Sequence, residues 1–195
     1  MRIIAGTARG TKLQTPEGDI TRPTLERVKE NFFNAIHFEL EDAKVLDLFA
    51  GSGQLGLEAL SRGARECVFA DNRAECVEVI TKNAQKTKLY DKCNILKLEY
   101  SEYLAGLKKR GDFSGFDVVF LDPPYKDNLR IIKEAVKRLL KHSLIKNNGI
   151  IVCESEKPVE LDTESARFVT GMRVYRYGRV LITVLKILGE ETNDG

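Results

Sequence analysis

An acid, two prolines and an aromatic ring follow one another at Asp122-Pro123-Pro124-Tyr125, directly after the apolar run Phe116-Asp117-Val118-Val119-Phe120-Leu121. Two successive prolines donate no backbone hydrogen bonds and hold φ fixed, so a sheet ladder must stop there. The stop leaves a carboxylate, a free Pro123 carbonyl and a flat ring together at the carboxyl edge of a sheet. In open α/β sheets that edge is where ligands bind. Two acceptors and a stacking surface suit a planar group bearing an NH2, such as the exocyclic amine of a base. Asp and Pro are also ordinary turn residues, so a plain strand-to-turn junction competes for the tetrapeptide taken alone.

A second group lies upstream, in Val45-Leu46-Asp47-Leu48-Phe49-Ala50-Gly51-Ser52-Gly53-Gln54-Leu55-Gly56. An apolar strand runs into glycines and then into a helix carrying Leu57, Ala59 and Leu60. The glycines allow a sharp turn and close approach of backbone to a ligand, and the helix start presents free N–H groups. Gly51, Gly53 and Gly56 also spell the dinucleotide fingerprint G-x-G-x-x-G, with Asp71 twenty residues after Gly51. Asp47 places a carboxylate at the strand end, which suits a cationic ligand better than a pyrophosphate. Asp71 closes the next apolar run, Cys67-Val68-Phe69-Ala70, where an acid can accept both hydroxyls of a ribose.

Together, Asp47-x-x-x-Gly51-x-Gly53, Asp71 and Asp122-Pro123-Pro124-Tyr125 resemble the motifs of S-adenosylmethionine-dependent amino-methyltransferases. The N-terminus is more specific. Arg2-Ile3-Ile4-Ala5-Gly6, Arg9-Gly10, Thr21-Arg22-Pro23-Thr24 and Val28-Lys29-Glu30-Asn31-Phe32-Phe33-Asn34 resemble the opening of the RsmD family, bacterial 16S rRNA guanine-N2 methyltransferases. Gly56-Leu57-Glu58-Ala59-Leu60-Ser61-Arg62-Gly63-Ala64 and Tyr177-Gly178 fit the same family, so the resemblance spans nearly the whole chain.

The resemblance implies a Rossmann-like, doubly wound α/β fold with a mostly parallel seven-stranded sheet. It implies S-adenosyl-L-methionine held by Asp47, Gly51, Gly53, Asp71 and Glu99, with Arg22 or Thr24 closing over the methionine end. Glu99 stands where related enzymes usually carry Asp or Asn beside the adenine. The implied substrate is 16S rRNA, naked or within the small ribosomal subunit or an assembly intermediate. The implied catalytic residues are Asp122, Pro123, Pro124 and Tyr125.

The positioning elements alternate at βα spacing. Residues 1–20 hold short apolar pieces broken by Gly6, Gly10, Pro16 and Gly18, which predicts a β-hairpin arm. Leu25, Val28, Phe32 and Ile36 recur at helical spacing behind Pro23. Strands are predicted at 66–70, 94–98, 116–121 and 149–154, and helices at 73–88 and over Leu129 to Leu140. Strands at about 167–175 and 179–187 are expected to form a terminal antiparallel hairpin across Tyr177-Gly178. The domain division is then an arm at 1–20, a methyltransferase domain at 21–189 and a flexible tail at 190–195.

A chain of 195 residues with 43% apolar content can bury one substantial core. Its net charge of +2 leaves nucleic-acid contact to local patches. Arg2, Arg9 and Lys12 precede the first acid, Glu17, and suit phosphate contact that positions without reading sequence. Arg173, Arg176 and Arg179, interleaved with Tyr175 and Tyr177, fit either the same task or a charge-protected edge strand.

Cys67, Cys76, Cys93 and Cys153 are scattered with no metal-ligand spacing, so no metal is expected and the thiols read as reduced. His37 and His142 read as helix-surface residues. No apolar stretch reaches membrane length and no signal peptide is visible, which predicts a cytoplasmic location; the protein is expected to be a monomer. A nicotinamide oxidoreductase would leave Asp122-Pro123-Pro124-Tyr125 unexplained. Adenine-N6 methylation would use the same tetrapeptide but normally adds a target-recognition domain. Protein glutamine methylation usually carries Asn at the position of Asp122.

Overall fold

The computed structural model describes residues 1–17, 24–108, 113–124 and 128–189, with the side chains of 24–27 excepted. In chain order the elements are α1 (Thr24–Ala35), β1 (Lys44–Asp47), α2 (Gln54–Ser61), β2 (Glu66–Asp71) and α3 (Ala74–Lys86). Then come β3 (Cys93–Lys97), α4 (Tyr100–Lys108), β4 (Phe116–Leu121), α5 (Asn128–Lys141) and β5 (Ile145–Ser155). A single turn, α6 (Thr163–Ala166), leads to β6 (Val169–Tyr177) and β7 (Val180–Ile187).

The strands form one seven-stranded sheet in the order β3-β2-β1-β4-β5-β7-β6. β3, β2, β1, β4 and β5 are mutually parallel. β7 runs antiparallel to β5, and β6 antiparallel to β7. From β1 the chain winds outward to β3, then returns to place β4 on the other side of β1. The order therefore reverses between β1 and β4, and that switch opens a crevice at their carboxyl ends.

Both faces of the parallel part are covered, as alternation along each strand requires. Val45, Phe69, Val118, Phe120, Ile150 and Val152 face one core with α1, α2 and α3. Leu46, Val68, Val119, Leu121, Ile151 and Cys153 face the other with α4 and α5. Phe32 and Phe33 of α1 set their rings 6.5 and 5.6 Å from that of Phe120, which seats α1 over the end of β4. Burying each such side chain contributes about 1.5–3 kcal/mol.

Residues 1–17 lie on the α1–α3 face, with Ile3, Ala8 and Leu13 buried. They turn back on themselves through an antiparallel bridge between Arg2 and Lys12. Glu58 of α2, fully buried, accepts hydrogen bonds from Ile4 N and Ala5 N at 2.8 and 3.0 Å. Lys29 and Arg62 neutralise it at 3.4 and 2.8 Å. Gly6 adopts φ +80°, and a Cβ there would sit 1.7 Å from the Ser61 carbonyl oxygen. Only glycine allows so close an approach.

Two features differ from the sequence expectation. β5 begins at Ile145, four residues early, because a register shift between Phe116 and Val118 lets the chain pair before Gly149. Short 3-10 turns at His37–Glu39 and Tyr90–Lys92, and α6 itself, carry too few residues to leave a periodic signal.

Candidate active site at the carboxyl edge of the sheet

Four acidic residues sit at the carboxyl ends of adjacent strands. Glu99 follows β3, Asp71 ends β2, Asp47 ends β1 and Asp122 follows β4. The topology thus brings together residues spread over 76 positions of sequence. The glycine loop between β1 and α2 lies among them.

That loop is held by the acids beside it. Asp71 Oδ2 accepts from Gly51 N at 2.9 Å, and its Oδ1 accepts from Arg73 N at 2.9 Å. Each oxygen keeps a further lone pair for a hydroxyl donor. Gly51 and Gly53 both adopt left-handed conformations, at φ +53° and +77°. A Cβ on Gly51 would meet nothing within 4 Å, whereas one on Gly53 would press on Ile80 at 3.2 Å. Gly51 therefore borders open space where a ligand can approach the backbone, and Gly53 keeps the loop against α3. Gly56 serves packing, since a Cβ there would fall 2.3 Å from the Phe69 ring.

Asp47 is buried and accepts from Gly56 N at 3.0 Å, tying β1 to the first turn of α2. Burial pushes its carboxyl up to about 7; the Gly56 N–H opposes this and the Asp71 charge adds to it. Because ionisation is disfavoured in the fold, its cost grows as pH rises from the ordinary carboxyl range toward 7. Asp47→Asn keeps an acceptor for Gly56 without that cost. Thermal melts should show equal stability of the two proteins at pH 4 and a higher Tm for the variant at pH 7–8.

Glu99 accepts from Ser101 N at 2.5 Å, so it caps the start of α4 as well as facing the edge. At Asp122-Pro123-Pro124 the Pro123 carbonyl is not free, contrary to the sequence expectation. It accepts from Asn128 Nδ2 at 2.9 Å, and the same nitrogen lies 3.3 Å from the Glu154 carbonyl. A primary amide thus already fills one lone pair, leaving the second for another NH2 donor. Tyr125 and Arg22 lie outside the described residues, as does the Thr24 side chain.

Reduced cysteines are no part of this edge. Burial raises the Cys67 thiol well above its ordinary value and pushes those of Cys93 and Cys153 up to about 12, so all three are poor nucleophiles. Among the described residues no group of His, Cys, Asp and Glu could hold a metal ion. No described helix is long and apolar enough to cross a membrane.

The sequence matches the family described as conserved hypothetical protein 95 over residues 1–186. The chain belongs to this family, the RsmD family. It is 39% identical to ribosomal RNA small subunit methyltransferase D of Haemophilus influenzae, across 84% of this chain and 82% of that one. A solved Escherichia coli structure, of a candidate methyltransferase, superposes with a TM-score of 0.80 at 28% identity, covering 97% and 99% of the two chains. An RNA methyltransferase from Salinibacter ruber, solved with S-adenosyl-L-homocysteine, shares the fold at a TM-score of 0.62 and 15% identity, covering 90% and 98%.

Three residues of this RsmD-family edge escaped the sequence reading. Asn83 of α3, fully buried, donates to the carbonyls of Gln14 and Ser52 at 2.9 Å and accepts from Gln14 N at 2.8 Å. It clamps the N-terminal arm and the glycine loop to one helix. Asn128 bridges β4 and β5, and its Oδ1 is buried with no hydrogen-bond partner. Glu154, in β5 beside this bridge, has its carboxyl pushed up to about 7 by burial. Glu154 was findable, because it closes an apolar run in the manner of Asp47 and Asp71. Asn83 and Asn128 carry no such local signal.

Proposed function

We propose that this chain methylates the exocyclic N2 amine of a guanine in 16S rRNA, using S-adenosyl-L-methionine. As a member of the RsmD family the chain is an S-adenosylmethionine-dependent rRNA methyltransferase; the target atom and the roles of single residues are the proposal. One observation carries it. Asp122 and Pro123 stand at the switch point beside the glycine loop, so an amine held there lies next to a nucleoside held by Gly51, Gly53, Asp71 and Glu99.

The open space at Gly51 and the spare lone pairs of Asp71 fit the ribose end of that cofactor, and buried Asp47 favours its cationic end. The cofactor supplies an electrophilic methyl. The chain's part is to orient the amine, whose lone pair is delocalised into the base. Hydrogen bonds from the NH2 to Asp122 and to the second lone pair of Pro123 favour a tetrahedral nitrogen. Tyr125 stacks on the base and holds it out of any helix. Orientation of this kind is worth about 7–11 kcal/mol of barrier without a covalent step. The proton leaves after transfer, so no strong base is needed.

In this reading residues 1–20 form an arm whose Arg2, Arg9 and Lys12 contact RNA phosphates, residues 21–189 form the methyltransferase domain, and the protein works as a cytoplasmic monomer. Arg9 and Lys12 are exposed, which supports the assignment. The test is transfer of labelled methyl groups to 16S rRNA and to small subunits from cells lacking this protein, followed by nucleoside digestion. N2-methylguanosine is expected. N6-methyladenosine, or label in protein, would overturn the assignment.

A further inference from the structure

β6 is an edge strand of the sheet, opposite β3, and it presents bases on both of its faces. Between Glu164 and Glu190 the sequence holds five bases and no acid, more positive charge than the net +2 of the whole chain. Several exposed and half-buried bases elsewhere are neutralised, Lys44, Arg65, Lys133, Lys137, Arg138 and Lys146 among them. Arg173, Arg176 and Arg179 are exposed, and among the described residues none has an acidic partner. Protection of an edge against aggregation does not require Arg176 and Arg179, without acidic partners among the described residues, at the end of the strand that lies level with Asp122.

Their position follows from register. Leu121 pairs with Cys153, Cys153 with Thr183 and Thr183 with Val174, so one row crosses from β4 to β6. One residue further, Glu154 pairs with Ile182 and Ile182 with Tyr175; the next row runs Ser155, Leu181, Arg176. Tyr175, Arg176 and the Tyr177–Arg179 turn are therefore level with Asp122 and Pro123, at the same sheet edge. Three strand spacings separate them, roughly 14 Å. Tyr175 and Tyr177 are partly buried against the core, which fixes the strand that presents the arginines. The outer backbone edge of β6 adds N–H donors to the guanidinium forks, and both suit phosphate oxygens.

We propose that the β6–β7 hairpin is a second RNA-binding surface, which grips phosphates of the substrate strand flanking the target base through Arg173, Arg176 and Arg179. The proposal rests on the rRNA reading above and adds to it where the strand runs. Exposed Met172 and Val174, at 46% and 50%, flank Arg173 and would suit a protein partner instead.

The test compares the wild-type chain with Arg173→Gln/Arg176→Gln/Arg179→Gln on an unmodified 16S rRNA transcript. These exposed changes should leave Tm and adenosylmethionine affinity unaltered. RNA affinity should fall at least tenfold at low salt, and the slope of log K against log salt should shrink by roughly 2, at about 0.7 for each phosphate no longer neutralised. Unchanged affinity and slope would overturn the proposal. So would a normal RNA slope with a loss of small-subunit binding that Met172→Ser/Val174→Ser reproduces, because that outcome marks a protein partner. RNA binding is read without methyl transfer, so the surface stands or falls apart from the identity of the methylated atom.

Discussion

Asp122→Asn is expected to slow single-turnover methyl transfer by about 10²–10³ while changing RNA and cofactor affinities little. The substitution keeps the size and one acceptor but removes the negative charge. Positive charge develops on the attacking amine only as the new bond forms, so the lost stabilisation appears in the transition state. Loss of one oriented group of this kind costs that order of rate in other enzymes. Tyr125→Phe keeps a stacking ring and should retain most activity, and Tyr125→Ala should lose it. Single-turnover assays on rRNA lacking the guanine methyl decide the matter. Wild-type turnover in Asp122→Asn would sink the orienting role.

Gly51→Val is expected to abolish adenosylmethionine binding with a Tm lowered by several degrees. At φ +53° a β-branched residue costs about 1–3 kcal/mol, and its side chain would enter the open space beside the loop. Gly53→Val is a poorer test than the sequence suggested. Its Cβ would press on Ile80 at 3.2 Å besides taking the left-handed strain, so lost binding there would mix altered packing with a blocked pocket. Calorimetric titration with the cofactor, alongside thermal melts, measures both quantities. Normal affinity in a folded Gly51→Val protein would remove the loop from the pocket.

The alternation of apolar strands and amphipathic helices made the doubly wound sheet legible, because burial on both faces writes its period directly into the sequence. Asp47, Asp71 and Asp122 were legible for a related reason: each closes an apolar run, so the change from apolar to acidic marks the strand end. Gly51, Gly53 and Gly56 could be seen as a group but not told apart. Their separate tasks depend on Ile80 and Phe69, which lie on other elements.

The sequence by itself determined the types of the longer elements, the acids at the strand ends and the family, since all three are carried by local pattern. Only the tertiary structure decided which strand ends meet, because the position of β4 beside β1 rests on pairings far apart in the chain. It also decided that Pro123 already has Asn128 as a donor, that Asn83 clamps the arm to the glycine loop, and that Arg176 and Arg179, with no acidic partner among the described residues, lie at the same sheet edge as Asp122. A side chain's partner across space leaves no period in its own neighbourhood, so those facts had to wait for the fold.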